Sequence, residues 1–146
     1  CVRAAVSGKP VIIRNPNSIR PFQHVLEPLF IYLDIVMRQA KDRERYEGYY
    51  NVGPDDRDCV NAQTLVESFK RAWGEGFDFK IQSDGGPHEA GFLKLNCDKL
   101  KKVYGWKPVL NVHDAIDLSV EWYKAWSNGE DMDAVTQKQI IEYLNR

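Results

Sequence analysis

The chain has 146 residues, 43% of them hydrophobic and 28% charged, which is the size and composition of one packed domain. Lys and Arg together number 20 and Asp and Glu 21, and this balance argues against broad nucleic-acid binding, which needs a basic excess. No stretch reaches the ~18 consecutive apolar residues of a membrane span, so we expect neither a nucleic-acid nor a membrane partner. Three widely spaced cysteines predict reduced thiols and a cytoplasmic protein.

The first half of the chain predicts two short strands and two amphipathic helices. Residues 11–13 are a β-branched strand between two turns, and residues 49–52 are a second strand candidate. Residues 62–73 form an amphipathic helix that Gly74 ends. A longer helix begins at Leu26, with Gly48 as a stop, and its apolar side chains share one face: Leu26, Leu29, Phe30, Leu33, Met37 and Ala40.

The second half predicts two more strands and three more helices. Residues 77–82 alternate as a half-buried strand, and residues 92–95 form another short strand after a loop. The helices are a short one capped by Asn96 or Asp98 and ending at Tyr104, one with a stripe from Val112 to Tyr123, and a last one over about residues 133–144, with Ile140, Ile141 and Leu144 as its apolar face. The fold class is therefore α/β with four short strands and about five helices, too few strands for a complete doubly wound sheet.

The usual catalytic and cofactor motifs are absent from the sequence. There is no G-x-G-x-x-G dinucleotide fingerprint, no phosphate-binding P-loop and no G-x-S-x-G elbow. The histidines and cysteines show no metal-ligand spacing, so we predict no metal site. The residues alone indicate an α/β domain without its own catalytic machinery.

Two stretches carry residues that can bind an anion. Arg14, Arg20 and His24 lie in a turn-rich segment between a strand and a helix, and the planar fork of arginine fits phosphate. The alternative is that these are solvated loop arginines. His88 and Glu89 lie in a glycine-rich turn that either closes on a ligand or merely connects two strands.

These stretches, taken in order, resemble the C-terminal half of the CDP-glucose 4,6-dehydratase family. The more specific strings are R-P-F-Q-H-V-L-E-P at residues 20–28 and P-H-E-A at residues 87–90. The strings Y-N-V-G at residues 50–53 and G-W-K-P at residues 105–108 are common to many extended short-chain dehydrogenase/reductase proteins. The resemblance covers nearly the whole chain.

The resemblance implies a lyase that uses bound NAD to convert CDP-glucose to CDP-4-keto-6-deoxyglucose and water, for deoxysugars of surface polysaccharide such as lipopolysaccharide. The family's NAD fingerprint and catalytic residues lie in its N-terminal half, so we expect no catalytic or cofactor-binding residue in this chain. The C-terminal half holds the nucleotide. The match places Ile13 and Arg14 near the cytosine, Arg20 on the diphosphate and Asn51 near the phosphates; it sets His88 and Glu89 on the opposite side.

The resemblance also implies a domain organisation. Residues 1–146 would form one partial unit, mainly the sugar-nucleotide-binding domain, with the segments around 26–73 contributing to a Rossmann-type domain whose NAD-binding core is absent. The opening at Cys1 would then be the cut end of a longer chain, inactive alone, whose full-length form is a homodimer. Two alternatives remain open: another sugar-nucleotide epimerase or reductase of the same superfamily, and a non-catalytic binding module.

Overall fold

The computed structural model describes residues 1–82 and 91–146, which form seven α-helices, one turn of 3-10 helix and four short strands. The strands are β1 (Val11–Ile13), β2 (Ile19–Arg20), β3 (Val60–Asn61) and β4 (Phe79–Ile81), and the 3-10 turn is Asp56–Asp58. The helices are α1 (Val2–Val6), α2 (Leu26–Lys41), α3 (Arg43–Tyr46), α4 (Ala62–Trp73), α5 (Asp98–Tyr104), α6 (Val112–Ser127) and α7 (Met132–Leu144). The α/β fold class and all five predicted helices are confirmed, and the two additional helices are short.

The four strands form two separate pairs. β1 and β4 run parallel, with Val11 opposite Phe79 and Ile13 opposite Ile81. β2 and β3 run antiparallel, and a single parallel bridge joins Ile19 of β2 to Phe92. The predicted strands at residues 11–13 and 77–82 are confirmed at their centres.

Two predicted strands are wrong. Residues 49–52 belong to none of the described ladders, and residues 92–95 make only the bridge at Phe92. β2 and β3, two residues long, were missed because strands this short carry no period-2 pattern.

The first hydrophobic core packs α4 and α6 against the β1–β4 pair. Three aromatic rings pack together in this core. On α4, Phe69 stacks on Trp73, and it also packs edge-on against Phe77, which precedes β4. Its buried members are Ile13, Val66, Phe69, Phe77, Val112, Ile116 and Val120. This core therefore fixes the carboxyl end of β1 through Ile13 and the amino end of β4 through Phe79.

A second core lies between α2 and α5. Leu100 of α5 is fully buried there, together with Ile31 of α2 and Trp106. The hydroxyls of Tyr50 and Tyr104 both donate to the Tyr46 main-chain oxygen at 2.9 Å. A small third cluster of Leu110, Leu118 and Tyr143 joins α6 to α7.

The buried carboxylate of Glu27 connects these clusters. Its Oε1 accepts hydrogen bonds from the main-chain N–H groups of Val109 at 2.8 Å and Leu110 at 2.6 Å, and its Oε2 accepts from the Tyr143 hydroxyl at 3.2 Å. Since α2, the segment before α6, and α7 all meet at one side chain, Glu27 sets how α2 is rotated about its axis.

An amphipathic helix usually turns its apolar face toward the core, and α2 does the reverse. The sequence predicts the apolar face of α2, but the structure turns this face to solvent: Leu29, Phe30, Leu33 and Met37 are all exposed. The buried face instead carries Glu27 and Ile31. The last helix behaves similarly, because α7 buries Gln139 and Tyr143 while the predicted apolar residues Ile140, Ile141 and Leu144 are exposed. Gln139 is drawn inward by the hydrogen bond that its Nε2 donates to the Leu118 oxygen at 2.9 Å.

The N-terminus of α6 is capped by Asn111, whose Oδ1 accepts from the main-chain N–H groups of His113 at 2.9 Å and Asp114 at 3.0 Å. We expect Asn111→Ala to lower the free energy of unfolding by about 1 kcal/mol, because two helix N–H groups lose their acceptor. Urea unfolding measures the loss, with Asn128→Ala at the C-terminus of the same helix as the control. A loss for Asn111→Ala no larger than that of the control would contradict the capping role.

Among the described residues, none of the helices combines the length and the apolar character that crossing a membrane requires.

Candidate functional site

Arg14 lies directly after β1, at the carboxyl end of the parallel β1–β4 pair. The Gln82 N–H, just after β4, donates to the Ile13 main-chain oxygen at 3.0 Å. Gln82, the last described residue before residue 83, therefore lies beside the strand end that carries Arg14. Carboxyl ends of parallel strands are where α/β proteins usually bind ligands.

The far end of the same connection lies against β2. The Ile19 N–H donates to the Gly91 oxygen at 3.0 Å, and the Leu93 N–H donates to the Ile19 oxygen at 3.1 Å. Arg20 follows Ile19, is half-buried, and donates from Nη1 to the Ile19 main-chain oxygen at 2.9 Å. Arg14 and Arg20 thus stand at the two ends of the connection that carries His88 and Glu89, and those two residues lie outside the described residues.

Ile13 and Asn51 are placed differently. The Ile13 side chain is only 5% exposed and packs in the first core, so it supports the strand end that carries Arg14. Asn51 is exposed, and its Nδ2 donates to the Asn96 main-chain oxygen at 3.1 Å. Asn51 therefore lies beside the segment that leads into α5, and its link to the arginines stays a prediction.

A cavity of about 800 Å³ lies next to Asn96. Lys101 binds Asp55 at 2.5 Å and Lys94 binds Asp56 at 3.4 Å, so two of its cations already have carboxylate partners. The hydrogen bond to Asp55 raises the pKa of Lys101, which stays charged. The lining residues are Pro54, Asp55, Asp56, Arg57, Phe92, Lys94, Leu95, Asn96, Cys97, Asp98 and Lys101.

The cavity and the Arg20 side chain lie on opposite faces of the short ladder that β2 forms with Phe92. Ile19 and Phe92 are bridge partners, so their side chains share one face. Because side chains alternate along a strand, Arg20 projects from the opposite face. Arg14 and Arg20 therefore lie apart from this cavity, and they stay the residues that the sequence predicts for an anion site. Lys94 and Lys101 were not predicted as site residues, because isolated lysines form no recognisable motif in a sequence.

Neither of the inner thiols is a candidate nucleophile. Burial raises the pKa of the Cys59 thiol. Burial in the second core raises the pKa of the Cys97 thiol as well. A raised thiol pKa leaves little of the reactive thiolate at neutral pH.

The polar pair before α2 serves the fold. His24 is buried, its Nδ1 accepts from the Leu26 N–H at 3.3 Å, and burial lowers its pKa, so the ring is neutral. Gln23 donates from Nε2 to the Val52 oxygen at 3.4 Å. His24 accordingly supports the start of α2, and the anion candidates of this segment are Arg14 and Arg20.

The described residues do not fit a dinucleotide. The pyrophosphate of a dinucleotide such as NAD sits on a glycine-rich turn that leads from a strand into a helix. In the described part of the chain the one helix directly after a strand is α4, and it is entered from β3 through Asn61, whose side chain caps Thr64 N–H at 2.7 Å.

The described residues form an α/β unit of seven helices and a few short strands, which is compatible with the C-terminal portion of an extended short-chain dehydrogenase/reductase. The chain is similar to the C-terminal portion of CDP-glucose 4,6-dehydratase from Salmonella typhimurium, with 35% identity over 144 residues. The aligned region is 99% of this chain and 40% of that enzyme's length. The resemblance found in the sequence is thereby confirmed. No protein-family model matches the chain.

Proposed function

We propose that this chain is the nucleotide-sugar-binding portion of an NAD-dependent CDP-glucose 4,6-dehydratase. The observation that carries the proposal is the placement of Arg14 and Arg20 at the two ends of one connection, in a chain similar to such a dehydratase. The full protein would convert CDP-glucose to CDP-4-keto-6-deoxyglucose and water, as a step in deoxysugar and surface-polysaccharide biosynthesis.

The role of this portion is binding and orientation. A diphosphate carries two adjacent negative phosphate groups, and a guanidinium can bind such a group through two parallel N–H···O hydrogen bonds. Arg20, held by β2 between β3 and Phe92, is the residue that we assign to the diphosphate. Arg14 and the Ile13 strand end would border the base, with Asn51, His88 and Glu89 as further contacts. NAD and the residues that move hydride and protons would come from the rest of the protein.

The proposal is tested by calorimetric titration of the purified chain with CDP, CMP and UDP. We expect Arg20→Ala to weaken CDP binding about 10- to 100-fold, because a charge-assisted hydrogen bond contributes about 1.5–3 kcal/mol. CMP, which lacks the second phosphate, should lose less affinity. Arg43→Ala, which removes an exposed arginine paired with Glu47 on α3, is the matched control and should leave CDP binding unchanged.

Two results would contradict the proposal. Equal CDP affinity of the wild-type chain and Arg20→Ala would remove Arg20 from the diphosphate site. UDP binding as tight as CDP binding would favour a different sugar-nucleotide enzyme of the same superfamily.

A further inference from the structure

Asn128 and Gly129 form the one Asn-Gly pair in the sequence. They lie in the turn between α6 and α7, and both are exposed. Asparagine is a thermolabile residue. The main-chain nitrogen of a following glycine is the least hindered nitrogen that can attack it, because glycine has no side chain beside that nitrogen. The pair therefore has the composition and the solvent access for a reaction between the Asn128 amide and the Gly129 nitrogen.

The fold holds that nitrogen in a Schellman motif, a pair of hydrogen bonds that commonly ends a helix at a glycine. The Gly129 N–H donates to the Trp126 oxygen at 3.1 Å, and the Glu130 N–H donates to the Ala125 oxygen at 3.1 Å. Gly129 has φ 74°, a left-handed conformation that glycine adopts without strain. The proton that must leave the Gly129 nitrogen before it attacks is therefore held in a hydrogen bond.

The backbone angle of Asn128 also keeps the two reacting groups apart. Ring closure needs the Gly129 nitrogen and the Asn128 Cβ on the same side of the bond between Cα and the carbonyl carbon. Asn128 has ψ −5°, which places the Gly129 nitrogen beside the nitrogen of Asn128 instead. The Asn128 N–H donates to the Lys124 oxygen at 3.0 Å and the Ala125 oxygen at 3.2 Å, so Asn128 stays in register with the helix. Reaction therefore requires the turn to open first.

The start of α7 holds the same turn from its other side. Asp131 caps this helix, because its Oδ1 accepts from the main-chain N–H groups of Asp133 at 3.0 Å and Ala134 at 3.3 Å. Only Glu130 separates this cap from Gly129. Fraying of the first turn of α7 would therefore loosen the Schellman motif as well, in the way that helix ends open locally without global unfolding.

We propose that Asn128 is a site of spontaneous deamidation, with water as the co-reactant, and that opening of the turn between α6 and α7 sets the rate. The Gly129 nitrogen attacks Asn128 Cγ, and the new N–C bond closes a five-membered imide. The side-chain nitrogen leaves as ammonia and takes up the proton from Gly129. Water then opens the imide at either carbonyl and gives aspartate or isoaspartate. This reaction is independent of CDP binding.

The product weakens the turn that protects the site. A carboxylate at position 128 lies at the C-terminus of α6, where the last carbonyl groups already carry partial negative charge. Glu130 and Asp131 follow within three residues and add like charges. Isoaspartate in addition inserts a methylene group into the main chain inside the Schellman motif. A modified chain therefore opens more readily between α6 and α7 than an unmodified one.

The first test follows the peptide that contains Asn128 by mass spectrometry, in buffer and in urea that unfolds the chain. We expect conversion of the amide to the acid in urea, and conversion at least about tenfold slower in the native chain, because only open molecules react. Asn17, which precedes Ser18, is the internal control and should convert more slowly than Asn128 in urea. No conversion of Asn128 in urea, or equal rates in urea and in buffer, would overturn the proposal.

A pair of variants tests whether the turn sets the rate. Asp131→Ala removes the cap of α7 and should raise the rate in buffer severalfold while leaving the rate in urea unchanged. Asp133→Ala removes the same charge from an exposed position on the same helix turn and should change neither rate, since Asp133 contributes only its main-chain N–H to the cap. Equal rates for the two variants in buffer would show that the turn does not control the reaction and would overturn the proposal.

Discussion

Glu27→Ala is expected to lower the free energy of unfolding by about 3–4 kcal/mol, since a buried N–H that loses its acceptor costs about 1–3 kcal/mol. The side chain is 1% exposed and is the acceptor for the Val109 and Leu110 N–H groups and the Tyr143 hydroxyl. Alanine removes all three bonds and leaves a cavity between α2 and α7. The loss would reach well beyond α2, because these partners lie 82 to 116 residues away in the chain.

Urea unfolding followed by tryptophan fluorescence measures this loss. Glu44→Ala, which removes a glutamate from an exposed position on α3, is the matched control and should change the free energy of unfolding little. A loss for Glu27→Ala below about 1 kcal/mol, the ordinary size of a neutral hydrogen bond, would contradict the assigned role.

Glu27→Gln separates the charge from the hydrogen bonds. Burial raises the pKa of Glu27 above its usual range, although the bonds from Leu110, Val109 and Tyr143 oppose the shift. A raised pKa in the fold means that the native state binds this proton more tightly than the unfolded state. Its contribution to stability is therefore full below the ordinary pKa of glutamate and declines as pH rises through the raised value. Since glutamine does not titrate, the wild type should gain stability relative to Glu27→Gln as pH falls from neutral toward about 4.5.

Leu100→Ala is expected to lower the free energy of unfolding by about 3 kcal/mol, within the range for leucine truncation in packed cores. Leu100 has 0% exposure and packs in the second core with Ile31, Tyr104 and Trp106. Its removal leaves a cavity that these neighbouring side chains cannot fill without shifting α5 against α2.

Two substitutions bracket this effect in urea unfolding. Leu100→Met conserves volume and should cost less than about 1.5 kcal/mol. Leu144→Ala removes the same side chain from an exposed position on α7 and should cost less than about 0.5 kcal/mol. A loss for Leu100→Ala as small as that of Leu144→Ala would show that the second core does not depend on this residue.

The helices could be predicted because their signals are local. The spacing from Ala62 to Trp73 and the glycine that follows give α4 its observed bounds, and Asn96 does accept a hydrogen bond at the start of α5, from the Asp98 N–H at 2.9 Å. The strand at residues 11–13 also carries its own signal in three β-branched residues. Each of these elements is specified by residues within a few positions of one another.

The orientation of α2 could not be predicted, because the residues that decide it are distant in sequence. An apolar stripe ordinarily faces the core, and only the partners at Val109, Leu110 and Tyr143 reveal that Glu27 faces inward instead. The strand pattern at residues 49–52 failed for a related reason: a strand needs a neighbour, and none of the described strands lies beside it. Of the candidate site, the position of Arg14 follows from the predicted strand β1, whereas the strand β2 that holds Arg20 was not predicted. The place of both arginines at the two ends of one connection depends on pairings with residues 82 and 91–93.

The parallel pairing of β1 with β4 bears on the order of events in folding. Val11 and Phe79 are paired although they are far apart in the sequence, with α2, α3 and α4 between them. Closing so long a loop costs entropy before any contact is gained, so pairings of this kind form slowly. We expect the helices to form first and the β1–β4 pair to close late, so that the strand end carrying Arg14 is among the last parts to reach its native position.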